Sequence, residues 1–227
     1  TLANIQAKFI FHGKASHAAH SPHLGRSALD AVELMNVGVN YLREHMPPDA
    51  RVHYAVTDSG GMSPNVVQAR AEVLYLVRAA RNHEAAELYE RVQNVARGAA
   101  LMTGCRVEIL FDKACSNLLQ NTTLNKVLHA RLLAEGALAV DAGTQTKAAD
   151  FQATLSADEI DAVSRPLASV LRGKVPAVFE GVAPYDPDAN DILFGSTDVA
   201  DVSWITPTAQ AWVACYAFGT PMHSWQM

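Results

Sequence analysis

The sequence predicts an α/β (α+β) chain whose first half is a ferredoxin-like β-α-β-β-α-β domain. Three observations predict it. Two long stretches repeat apolar residues at helical spacing, four short stretches alternate at strand spacing, and turn-rich segments separate them in that order. Two helices are then expected to cover one face of a four-stranded antiparallel sheet, leaving the other face to solvent or a partner.

Residues 5–12, IQAKFIFH, alternate as a strand. The stretch 13–28, GKASHAAHSPHLGRSA, is a loop broken by Pro22 and Gly25. A helix is expected over 27–45, with Ala28, Leu29, Val32, Met35, Val39 and Leu42 on its apolar face and Ser27 as N-cap. Pro47 and Pro48 end it. RVHYAVT, 51–57, alternates as a strand, and DSGGMSPN is a turn-rich loop. A third strand is strongest over 72–78. The second helix spans about 83–103, with a stripe of Ala85, Leu88, Val92, Val95, Ala99 and Met102, closed by Gly104. CRVEILF, 105–111, is the fourth strand.

The remainder reads differently. A helix is expected over 122–135, and 136–190 is Ala-rich with weak periodicity. FGSTDVADVSW, 194–204, is a loop or short helix. AQAWVACYAFG, 209–219, is apolar almost throughout, as a buried parallel strand would be, yet no parallel neighbour for it is visible. The division expected is a lid of 1–116 and an incomplete α/β catalytic-domain remnant of 117–227.

Composition narrows the function classes. Of 227 residues, 49% are hydrophobic, enough for a core, and the net charge of −5 disfavours a general nucleic-acid binder. No apolar run reaches the length of a membrane span. Cys105, Cys115 and Cys215 form neither a CxxC pair nor an even set, so a reducing, cytoplasmic setting is expected. The chain starts at Thr1, mid-strand, without a signal peptide, and reads as a piece of something longer.

Several residues are candidates for chemistry. His17, His20 and His23 recur every three residues, but no carboxylate lies between Gly13 and Arg26 to complete a tetrahedral site. Metal ligation, solvated loop histidines and a single imidazole donating to developing negative charge all remain open. Asn65 opens the third strand and serves equally as a turn residue. Arg78 closes that strand, either solvated or gripping a carboxylate bidentately. His223 follows the apolar run 209–219, where ligands bind in open α/β sheets. Asp198 and Asp201 serve as helix cap or surface charge.

The segments GKASHAAHSPHLGRSALDA, RVHYAVTDSGGMSPNVVQA, AEVLYLVRA, FDKACSN and STDVADVSW together resemble the two-metal aminoacylase and carboxypeptidase family of amidohydrolases. The likeness covers 1–121 and resumes over 181–227. It implies a lid domain inserted in a catalytic domain that carries two divalent ions, zinc or manganese. It further implies that His17 stabilises the oxyanion across a dimer, that Asn65, Arg78, Ser196 and Thr197 meet the substrate, and that His223 is a metal ligand. The implied reaction is attack of metal-activated water on the amide of an N-acyl or aryl-acyl amino acid. The implied partners are that small molecule, a second copy joined through the lid, and a further subunit. The family's other metal ligands and its general base precede the lid, so this chain alone is expected to be inactive. The alternative is a non-catalytic dimerisation or small-molecule-binding module.

Overall fold

The computed structural model describes residues 1–137, 139–164, 177–188 and 193–227, with the side chain of residue 164 outside the description. Two compact units are present: Thr1–Leu119 with Asp191–Thr206, and Gln120–Asn190 with Pro207–Met227.

The first unit is built on strands β1 (Ala3–His12), β2 (Arg51–Asp58), β3 (Arg70–Ala79) and β4 (Arg106–Cys115). They form one antiparallel sheet in the order β2-β3-β1-β4. Helices α1 (Ala28–Leu42) and α2 (Asn82–Thr103) connect them, giving the expected β-α-β-β-α-β path. Alternation sets the two faces. Phe9, Phe11, Val73, Tyr75 and Val77 point to the helices and are buried against Val32, Met35 and Val39 of α1 and Leu88, Val92 and Ala96 of α2. Phe9 meets Tyr75 edge-on at 5.5 Å, and the Tyr75 hydroxyl donates to Asn36 Oδ1 at 2.5 Å. Burial first, and then the neighbouring Tyr54, pushes the Tyr75 hydroxyl far above the usual tyrosine range, so it stays protonated as a donor.

The helix ends follow the capping signals. Ser27 Oγ accepts from the Asp30 amide at 3.1 Å. Glu84 Oε2 accepts from the Arg81 amide at 3.0 Å, tying the start of α2. Gly104, at φ 68°, turns the chain left-handed so that the Cys105 amide reaches Ala100 O at 2.9 Å. β4 runs past the expected 111 to Cys115, through a register shift opposite Gln6 and Ala7.

The chain re-enters this unit with a short helix, Val199–Ser203. Asp201 Oδ1 accepts from the Ser116 amide at 2.8 Å, Ser203 Oγ from the Leu119 amide at 2.9 Å, and Trp204 Nε1 donates to Asn117 O at 2.7 Å. These bonds hold 197–204 against the end of β4.

The second unit contains helices α3 (Thr122–Glu135), α4 (Ala142–Gln152) and α5 (Ala157–Ser164), the short helix of the first unit being α6 in chain order. Ala148, Val178 and Ala217 form a small apolar group. The expected buried strand over 209–219 is absent. Trp212 and Val213 are exposed, and burial begins only at Ala217. A strand exists only with a ladder partner, and every strand among the described residues lies in the first unit.

Candidate functional site in two paired loops

Two loops leave the same end of the sheet, 13–27 after β1 and 59–69 before β3. Backbone bonds zip them together: Gly13 N to Ala69 O at 2.8 Å, Val67 N to Ser16 O at 3.0 Å and Ala18 N to Asn65 O at 2.9 Å. The first loop also closes on itself, Lys14 and Arg26 exchanging amide bonds at 2.8 and 2.9 Å. Glycine is required at 13, since a Cβ there would stand 2.0 Å from Arg26 O. Gly60, at φ 84°, makes the turn into the second loop, its amide bonded to Asp58 Oδ1 at 2.8 Å.

This zipper brings His17 and Asn65 together on an exposed surface. His17 Nδ1 accepts from the amides of Ala19 at 3.2 Å and His20 at 3.1 Å. The neutral ring therefore carries its proton on Nε2, which is presented outward as a donor. Asn65 Oδ1 accepts from Ser63 Oγ at 2.5 Å, and its amide NH2 has no hydrogen-bond partner among the described residues. Each is an exposed donor of the kind that suits an oxygen that gains negative charge. His20 lies edge-on to His17 at 6.3 Å, and His23 is exposed.

Arg78 and Ser196 form a second pair. Arg78 donates to Ser196 Oγ at 2.9 Å, and that hydroxyl donates to Leu2 O at 2.8 Å. Arg78 lies on the sheet face away from the helices. Thr197 faces elsewhere, and its hydroxyl accepts from the Val199 amide at 3.3 Å at the start of α6. The two pairs are not brought together. The loops leave from the His12–Arg70 ladder position, whereas Arg78 pairs with Asn4, about 27 Å along the strands.

His223 belongs to the second unit, is exposed and has φ 64°. Among the described residues no three His, Cys, Asp or Glu side chains group as a metal site, the histidine triplet included. The described residues thus do not by themselves make up a two-metal centre.

Reading by motif missed Arg51 and His53. They share the outer sheet face with Arg78, Arg51 directly opposite it in the ladder. The alternation of RVHY against the buried Val52 already put both on that face. Burial, and then Arg78, Arg43 and Arg51, hold the His53 ring below the usual histidine range.

Residues 3–101 match the peptidase dimerisation domain. Across its whole length the chain is 48% identical to one of the subunits of the p-aminobenzoyl-glutamate hydrolase of Escherichia coli, spanning 49% of that protein. Over 99 residues, 44% of this chain and 23% of the relative, it is 40% identical to the Xaa-Arg dipeptidase of Mus musculus. The crystal structure of an aminobenzoyl-glutamate utilization protein from Klebsiella pneumoniae superposes with a TM-score of 0.50 at 25% identity, over 58% of this chain and 33% of that one. The chain thus spans about half the length, or less, of the relatives it matches. The amidohydrolase likeness read from the motifs is borne out. No helix among the described residues is long and apolar enough to cross a membrane.

Proposed function

We propose that this chain is the lid and C-terminal portion of an amidohydrolase that cleaves the amide bond of p-aminobenzoyl-glutamate or a similar aryl-acyl amino acid. The whole-length similarity to the Escherichia coli p-aminobenzoyl-glutamate hydrolase carries this reading. In it, residues 1–116 are the lid and 117–227 contribute to the catalytic domain. The family resemblance points to two divalent ions, zinc or manganese, in the complete enzyme, with His223 as this chain's ligand, and the unpaired cysteine pattern supports a cytoplasmic location. The dimerisation domain supports pairing of two copies through the lid, and the relative's designation as a subunit supports a second kind of polypeptide in the assembly.

The chain's own residues bind and polarise. His17 Nε2–H and the Asn65 amide donate to the carbonyl oxygen as it becomes an oxyanion. Their bonds to backbone and to Ser63 fix them in advance, so little reorganisation accompanies the reaction. Arg78, steadied by Ser196, takes a substrate carboxylate, and Thr197 lines the same loop. The wide separation of the two pairs along the sheet agrees with His17 serving the site of a second copy.

Release of p-aminobenzoate tests this reading. The parent polypeptide, expressed from its full reading frame, is expected to hydrolyse p-aminobenzoyl-glutamate. The 227-residue chain is expected to show no turnover with added zinc or manganese. A parent without hydrolysis overturns the substrate reading, and turnover by the chain alone overturns its dependence on further residues.

A further inference from the structure

The outer face of the sheet carries a concentration of positive charge of which the proposed reaction uses only Arg78. Arg51 stands opposite Arg78 in the β2–β3 ladder, and His53 follows two residues along on the same face. Like charges placed directly opposite each other destabilise a sheet. Here nothing among the described residues offsets them. The ion pairs formed there are Lys8–Glu72, His12–Glu108, Arg70 with Asp58 and Glu72, and Arg97–Glu90, and none involves Arg43, Arg51 or Arg78. The charges acting on His53 are all cationic.

These side chains are also held in place. Arg51 donates to Pro48 O at 2.5 Å and Ala50 O at 2.6 Å, and its guanidinium lies 4.9 Å from the centre of the Phe194 ring. Arg43 bonds to Val52 O at 2.8 Å and to Asn40. Arg78 is fixed by Ser196, in the same segment as Phe194. The His53 ring has no hydrogen-bond partner among the described residues. Fixed cations without counter-charges, beside a free ring nitrogen, form a receptor for an anion with more than one charged end.

We infer that Arg51 and His53 bind the second carboxylate of a dicarboxylate whose first carboxylate is held by Arg78, so that this face selects amino acids with an acidic side chain. The inference rests on the amidohydrolase reading for its substrate but not for its test. Such a pair of anchors rejects a monocarboxylate, because the second cationic group is then left without a partner.

The test uses the 227-residue chain and glutarate as probe. The His53 Cε1–H resonance, assigned by its loss in His53→Gln, is followed by NMR during titration. A saturable shift is expected, with affinity about tenfold weaker in Arg51→Gln, the cost of one charge-assisted bond. Acetate and inorganic phosphate are expected to bind at least about tenfold more weakly than glutarate. No saturable shift, unchanged affinity in Arg51→Gln, or equal binding of acetate or phosphate overturns the inference. Unperturbed dispersion of the remaining signals shows that Arg51→Gln is folded. Glutarate binding by the chain, with a parent that fails to release p-aminobenzoate, retains the dicarboxylate site and rejects the proposed reaction.

Discussion

Single residues do separable jobs here, and substitutions distinguish them. Tyr75 is a core residue with one polar atom, matched by Asn36. Tyr75→Phe leaves Asn36 Oδ1 buried without its donor and is expected to cost about 1–3 kcal/mol in urea unfolding. His17 is exposed, so His17→Ala is expected to change stability by no more than about 0.5 kcal/mol in the same assay. His53 links stability to pH. Its folded pKa is lowered, so the unfolded chain takes up the proton more readily as pH falls through about 6.5 toward the folded value. Stability present above that window is lost within it. The difference in urea midpoint between wild type and His53→Gln should therefore move against wild type from about pH 7.5 to about pH 5.5. A constant difference contradicts the charge assignment. Arg51 and His53 were legible as outer-face residues from alternation alone. Their convergence with Arg78 depended on a ladder register that local sequence does not specify.

At the scale of elements, legibility followed how local the determining physics is. Caps are local, and Ser27 and Gly104 take the roles their spacing indicated. Ser27→Ala is expected to destabilise by about 1 kcal/mol. Gly104→Ala is expected to cost about 1–2 kcal/mol, because its left-handed φ disfavours a Cβ and Arg26 Cδ lies 3.1 Å from where that Cβ would sit. Both are measured by chemical denaturation of the whole chain. Ladders are not local. β4 extends four residues beyond its apolar pattern because β1 continues beside it. The run 209–219 has strand composition but no partner among the described residues, and remains largely exposed. The zipper that unites His17 and Asn65 is likewise non-local. Each loop is recognisable as a turn-rich stretch, while nothing local to either specifies their union.

At the scale of the molecule, the first unit turns one sheet into two surfaces with different roles. The helix side supplies the core, from Phe9 and Tyr75 through Val32 and Val92. The other side and the loop end hold exposed donors and cations fixed by backbone bonds. The donors of His17 and Asn65 lie at the opposite end of the sheet from Arg78 and Ser196, which is the arrangement expected when one copy's loop completes another copy's site. Mixing two inactive variants of the parent polypeptide tests this most directly. His17→Ala lacks the oxyanion donor, and His223→Ala lacks the proposed metal ligand. Each is expected to release almost no p-aminobenzoate alone. After unfolding and refolding together, the mixed dimers are expected to recover part of the wild-type turnover, because one of their two sites holds an intact His223 and the partner's intact His17. Absence of recovery in a mixture shown to contain mixed dimers would contradict the account.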